Sequence, residues 1–150
     1  MNNLNKFLAK AKIATYAGDG RSKNLEDGSK ELTYEEKEFS YKDRYFGFDP
    51  FIGEEVVFQN KKPIWSMNYY GFLTSSALSA KQVYEFLKKA LRQVKENQPY
   101  RGPENYKEKD LEYANQVTGT INAFIGTEKI KYKRKEIYKL DYHGGLIKEK

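Results

Sequence analysis

Two ten-residue segments decide the fold of this chain of 150 residues: KPIWSMNYYG at 62–71 and KEIYKLDYHG at 135–144. The lysine, the isoleucine, one tyrosine and the glycine are identical at corresponding positions, and most of the remaining residues are similar in character. Large apolar residues alternate with polar ones in both segments, which is typical of a strand with one buried face. The two segments therefore predict two equivalent strands.

The similarity extends along the chain on both sides of these segments. FLAKA at 7–11 returns as FLKKA at 86–90, and ELTY at 31–34 returns as DLEY at 110–113. Colinear matches of this kind predict an internal duplication. The alternative is that any two stretches built of a helix followed by strands share such patterns.

Each half has the pattern of one helix followed by about four strands. Apolar residues from Leu4 to Ala11 recur at helical spacing, and a second apolar stripe predicts a helix from about Ala80 to Lys95, capped by Ser79. Strands are predicted at 31–46 (two strands, with a break near 35–38), 54–59, 63–70, 110–117, 119–125, 128–133 and 136–143. The predicted fold class is α+β, with two helices on about eight mostly antiparallel strands. We predict a single domain, 1–150, with similar halves at about 3–75 and 79–147.

Composition narrows the function classes. The chain has no cysteine and one histidine, His143, which argues against a site for soft or borderline metals. An oxygen-ligand site for Mg or Ca is an alternative, although the sequence has no Asp-rich loop pattern. We predict no metal site and no cofactor. The opening residues MNNLNKFLAKAK hold no apolar run typical of a signal peptide, and no segment is apolar over the length of a bilayer. We predict a cytoplasmic protein that does not bind membranes.

Aromatic residues make up 15% of the chain, a composition that favours a binding surface, and the sequence shows no evident catalytic motif. We predict a groove between the two halves that binds an unknown small molecule or protein partner in a sensor-like, non-catalytic module. Aromatic rings would supply contact area in this groove, and an arginine would hold an anionic group. The predicted lining residues are Tyr16, Trp65, Asn68, Tyr70, Tyr100, Arg101 and His143.

A first alternative is a small hydrolase or transferase. Asp141 and His143 lie two residues apart on a predicted strand, hence on one face, where the carboxylate could orient the imidazole as a general base. Arg101 would clamp an anionic substrate group. This alternative requires the three side chains to converge in one pocket.

A second alternative is nucleic-acid binding. The formal net charge of +6 resides entirely in the second half, because residues 1–75 hold equal numbers of basic and acidic side chains. A basic hairpin could follow a phosphate backbone, although lysine also protects exposed strand edges from aggregation. The residues involved would be Lys129, Lys131, Lys133, Arg134, Lys135 and Lys139.

Several motifs together resemble a known family. They are ATYAG at 14–18, GEEVVF at 53–58, PIWSMNYYG at 63–71, PYRGP at 99–103 and YHGGLIK at 142–148. The chain resembles an uncharacterised domain of unknown function of bacteria and archaea, which occurs alone or after a helix-turn-helix DNA-binding domain. The resemblance brings no assigned activity and implies a stand-alone sensing or partner-binding module. The hairpin tips NKKP and KRKE lack the Asn-Gly turn expected in similar proteins.

Overall fold

The computed structural model describes residues 2–150, which form two helices and nine strands. The elements are α1 (Asn2–Ala14), β1 (Lys23–Asn24), β2 (Lys30–Glu36), β3 (Phe39–Gly47), β4 (Phe51–Gln59), β5 (Lys62–Leu73), α2 (Ala80–Leu91), β6 (Asn105–Glu108), β7 (Leu111–Thr120), β8 (Ala123–Tyr132) and β9 (Lys135–Leu146). The strands form one open antiparallel sheet in the order β1-β2-β3-β4-β5-β9-β8-β7-β6. The predicted α+β class is confirmed. Neither helix is long and apolar enough to cross a membrane.

The two quoted segments form the central pair of strands, β5 and β9. Tyr69 lies directly opposite Tyr142 in this antiparallel pair. The predicted buried face is confirmed, since the alternate apolar side chains of both strands are at most 5% exposed. They are Trp65, Met67 and Tyr69 in β5 and Tyr138, Leu140 and Tyr142 in β9. We call this side, on which both helices pack, the helix face, and the other side the open face.

Each helix is fixed over the outer strands of its own half by the same two contacts. In the first half, the Phe7 ring lies 5.7 Å from Tyr34, and Lys10 pairs with Glu36 at 2.9 Å. The second half repeats both contacts between α2 and β6, with a ring distance of 5.6 Å and an ion pair of 2.8 Å. The residues there are Phe86 with Tyr106 and Lys89 with Glu108.

Unusual backbone positions also repeat between the halves. The turn before β3 places Lys37 at positive φ, and the turn before β7 does the same with Lys109. The two-residue turn 60–61 and its counterpart 133–134 both have positive φ at each residue, although three of the four residues carry long side chains. This agreement supports two similar halves, and their common origin stays an interpretation.

The structure corrects part of the strand prediction. Residues 123–132 form one continuous strand rather than parts of two, because the turn lies at Ile121 and Asn122. Strand β6 was not predicted, since Tyr106 is the one apolar residue among its four. Tyr34 of β2 therefore corresponds to Tyr106 of β6 and not to the DLEY segment. Helix α2 ends at Leu91 instead of near 95, because the backbone N–H groups of Gln93 and Val94 donate to carbonyls three residues earlier rather than four.

Candidate functional site

A cavity of about 440 Å³ lies on the helix face, between α2 and the strands of the first half. Its wall is aromatic and aliphatic, and includes Tyr45, Phe48, Phe51, Tyr69, Tyr84 and Leu87. Buried Asp43 and Arg101 form its polar end, whereas charged side chains of α2 and β2 surround its exposed mouth. An apolar cavity of this size with a few convergent polar groups is the usual form of a small-molecule site.

Asp43 projects from β3 into this cavity and is only 2% exposed. The Tyr69 hydroxyl donates a hydrogen bond to its Oδ1 at 2.5 Å, and Oδ2 accepts none from the described residues. The pKa of Asp43 is raised to about 7, mainly by burial and secondly by the charge of Glu55. Asp43 can therefore exchange a proton near neutral pH.

Arg101 enters the cavity from the loop that follows α2. Its Nε and Nη2 donate to the Glu128 carboxylate at 3.2 and 2.6 Å, while Nη1 has no hydrogen-bond partner among the described residues. The guanidinium carbon lies 5.2 Å from the Tyr16 ring and 5.5 Å from the Tyr69 ring. This two-point pairing fixes the guanidinium plane, so Nη1 is a pre-oriented donor.

Glu128 holds Arg101 through a carboxylate whose two oxygens each accept two hydrogen bonds. Besides the guanidinium, it accepts hydrogen bonds from the hydroxyls of Tyr113 and Tyr138 at 2.6 and 2.8 Å. The four hydrogen bonds compensate the free energy that a buried carboxylate loses when it is removed from water. This cluster supports the arginine rather than facing a ligand itself.

The corresponding carboxylate in the first half, Glu55, is less completely bonded. It pairs with the buried ammonium of Lys12. Burial lowers the pKa of Lys12, and the charge of Glu55 offsets part of this shift. The hydroxyl of Tyr41, the indole N–H of Trp65 and Oε1 of Glu55 have no hydrogen-bond partner among the described residues. The polar core is thus more tightly satisfied in the second half than in the first.

In the second half, the PYRGP loop occupies the position that corresponds to the cavity. Asn115, the counterpart of Asp43, donates through Nδ2 to the carbonyl of Gly102 at 3.1 Å, and the Gly102 N–H donates to Tyr113 at 3.0 Å. The Tyr100 ring stacks on Phe124 with a centroid distance of 4.2 Å. The loop therefore fills space that stays open beside Asp43.

The structure brings together only some of the residues predicted to line one groove. Tyr16 and Arg101 line the cavity. Trp65 and Tyr100 are core residues that flank Phe124. The prediction of a single lining is wrong for the remaining three, Asn68, Tyr70 and His143, which line a shallow depression on the open face. Strand alternation explains this, because odd and even positions of β5 point to opposite faces.

The predicted catalytic combination does not form. Asp141 and His143 do share the open face, where Thr127 donates a hydrogen bond to Asp141 at 2.6 Å. Arg101 is bonded to Glu128 on the helix face, so the sheet separates it from the other two. A clamp of Arg101 next to the Asp141–His143 pair is therefore wrong.

The basic hairpin divides between the open face and the turn. Lys129 lies opposite Lys139 on neighbouring strands, and the two are paired with Glu136 at 3.7 Å and Asp141 at 3.6 Å. Lys131 also belongs to β8, Lys133 and Arg134 form the turn, and Lys135 begins β9. Nucleic-acid binding stays a prediction.

Asp43 was missed as a site residue, although the sequence carries a signal for it. In the segment FSYKDRY, Phe39, Tyr41 and Tyr45 alternate on one face, and Asp43 interrupts this apolar face. A charged residue at such a position is either paired or functional. The lysines of α2 carry no comparable signal, because exposed lysines are common on helices.

A comparison with protein-family models gives a match over residues 43–147, to a domain of unknown function, DUF5680. The chain belongs to this family. The resemblance is thereby confirmed at the level of a domain of unknown function. The DUF5680 match includes Asp43, Tyr69 and Arg101, whereas Tyr16 and Leu32 of the cavity lie outside it. Searches of curated proteins and of solved structures gave no significant match.

Proposed function

We propose that this chain is a non-catalytic module that binds a small molecule in the cavity between α2 and the first-half strands. The observation that carries this proposal is the polar end of the cavity. Asp43 Oδ2 and Arg101 Nη1 both lack a hydrogen-bond partner among the described residues, and both residues line the same 440 Å³ space. An acceptor and a donor that the protein leaves free at the same cavity favour a ligand that satisfies both.

A sensing role suits this cavity. The resemblance implies that similar domains of bacteria and archaea occur alone or after a helix-turn-helix DNA-binding domain, and fusion to a regulator suits a module that senses a molecule. The cavity is lined by both halves, since Tyr45 and Phe51 come from the first and Tyr84 and Arg101 from the second. A ligand there would contact both halves and fix them relative to each other. We propose that the protein is cytoplasmic.

The proposal can be tested by screening a small-molecule library with thermal shift and ligand-observed NMR. Ser22 lines the cavity and is exposed, so Ser22→Trp would block the entrance. Thr118→Trp adds the same side chain at an exposed position of β7 away from the cavity and serves as the control. We expect hits to bind the wild type and Thr118→Trp but not Ser22→Trp. Equal binding to all three proteins, or no hit at all, would overturn the proposal.

A further inference from the structure

We infer that the cavity binds a planar aromatic molecule with an amino group at one end and an anionic group at the other. This inference rests on the binding function proposed above and names the chemical class of its ligand. Two sources share this chemistry: nucleotides whose base carries an amino group, and amino-substituted aromatic acids.

The second half provides an internal template for the aromatic part. There the Tyr100 ring stacks on Phe124 at a centroid distance of 4.2 Å and an interplanar angle of 23°. The counterpart of Phe124 is Phe51, which lines the cavity. Its aromatic neighbours Tyr69 and Tyr84 are inclined at 59° and 89°, so neither is stacked parallel to it. A planar ligand can occupy the stacking position that Tyr100 takes in the other half.

The difference between Asp43 and Asn115 indicates which polar group the ligand presents. Asn115 offers its Nδ2 as a donor, and the Gly102 carbonyl accepts. In its ionised form Asp43 offers only acceptor oxygens at the corresponding place, so its partner there is a donor, such as an amino group. Arg101 Nη1 can donate to an acceptor next to that amino group. Adjacent donor and acceptor atoms are the pattern on the edge of cytosine or adenine, and carboxylates accept from the cytosine amino group.

The mouth of the cavity favours an anion. Lys30, Lys81 and Lys88 line it together with a single acidic residue, Glu85. Lys81 is paired with Glu85 at 4.0 Å, whereas Lys30 and Lys88 form no salt bridge with the described residues. Three ammonium groups against one carboxylate attract a phosphate or a carboxylate that projects from the cavity.

Calorimetry with four probes tests the ligand class in the wild-type protein. CMP carries the amino group that would donate to Asp43, whereas UMP has an oxygen in its place. Cytidine has the same base as CMP but lacks the phosphate. We expect CMP to bind at least about tenfold tighter than UMP, because the cytosine amino group donates to Asp43 and uracil has a carbonyl oxygen at that position. We also expect CMP to bind at least about tenfold tighter than cytidine, because cytidine forgoes the contact with the lysines. The fourth probe, 4-aminobenzoate, distinguishes the sources: if it binds tighter than CMP, the ligand is an aromatic acid.

Two variants separate the two ends of the ligand. Asp43→Asn places the second-half residue in the first half and should reverse the preference between CMP and UMP, because an amide N–H donates where the carboxylate accepted. Lys88→Glu should weaken CMP but not cytidine, and Lys62→Glu, an exposed lysine that does not line the cavity, should change neither. Thermal melts of each variant verify that it is folded.

Three results would overturn this inference: equal binding of CMP, UMP and cytidine, an unchanged CMP to UMP ratio in Asp43→Asn, or no binding of any probe. If library hits still bind the wild type and not Ser22→Trp, the binding function stands and only the ligand class is wrong. If no library compound binds either, both proposals are wrong.

Discussion

Asp43 and Asn115 occupy corresponding positions, on the third strand of each half counted from the centre of the sheet. Each accepts a hydrogen bond from a central tyrosine, Asp43 from Tyr69 at 2.5 Å and Asn115 from Tyr142 at 2.7 Å. The two sites therefore share one geometry, but only Asp43 can ionise. This difference makes the first half sensitive to pH and the second half insensitive at the same position.

We predict that Asp43 makes the protein less stable as pH rises. Its folded pKa of about 7 exceeds its ordinary value of 3.8. Between these values the folded state binds more protons than the unfolded chain, so the free energy of unfolding falls by up to about 1.4 kcal/mol per pH unit. Asp43→Asn should remove this dependence and should be more stable than the wild type at pH 8. Urea denaturation at a series of pH values measures both effects.

The reciprocal variant, Asn115→Asp, provides the control for this prediction. It should steepen the loss of stability with rising pH, and it also gives up the hydrogen bond to Gly102. Parallel pH profiles for wild type and Asp43→Asn would show that the carboxyl group is not protonated in the folded protein near neutral pH.

The two buried ion pairs should respond differently to the loss of their carboxylates. Glu128→Gln leaves Arg101 buried and charged, since a guanidinium does not deprotonate, and should cost about 3–5 kcal/mol. Glu55→Gln leaves Lys12, whose pKa burial already lowers, so the ammonium can release its proton and the cost should be smaller.

The pH dependence provides a second criterion for the ion pairs. The deficit of Glu55→Gln should shrink as pH rises, because the neutral lysine becomes easier to bury, whereas that of Glu128→Gln should not. Urea denaturation at pH 7 and pH 9 measures this. Equal costs with equal pH dependence would contradict the prediction.

Two glycines provide room for the central tyrosines. Gly126 lies opposite Tyr142, and a Cβ there would come within 2.0 Å of the tyrosine ring. Gly53 lies opposite Tyr69 in the same way, with a Cβ distance of 2.4 Å to the hydroxyl. Gly126→Ala should destabilise the fold by about 1–3 kcal/mol through overpacking. Thermal and urea denaturation measure the loss, and Gln116→Ala, at an exposed position of the adjacent strand, should have little effect. Similar stability of the two variants would argue against close packing here.

The turn between β8 and β9 should be open to stabilisation. Lys133 and Arg134 adopt φ of 48° and 69°, a conformation that favours glycine in two-residue hairpins. Arg134→Gly should stabilise the protein by about 1 kcal/mol, because a left-handed conformation costs roughly that for a residue with a side chain. The melting temperature should rise, whereas Lys135→Gly, at the first residue of β9, should lower it. A lower melting temperature for Arg134→Gly would refute this.

Local patterns were sufficient to predict most of the elements and the buried faces of the two central strands. The alternation in 62–71 and 135–144 places Trp65 and Tyr138 on a buried face, because successive side chains of a strand point to opposite sides. The capping pattern of Ser79 and the apolar stripe predict the start of α2, and the structure contains this capping box. The same alternation already assigns Asn68 and Tyr70 to the face opposite Trp65, so a groove lined by all three was inconsistent with it.

Long-range packing decided the candidate site. No local pattern shows that β5 pairs with β9, or that the loop after α2 carries Arg101 to Glu128, because these contacts join residues far apart in the chain. The sequence by itself determined the α+β class, the two helices and the buried faces of the two central strands, and it carries an acidic residue on an apolar strand face. Only the tertiary structure decided that Asp43 and Arg101 meet at one cavity. A space stays open between α2 and the first-half strands beside Asp43, whereas the PYRGP loop packs on Asn115, its counterpart in the second half.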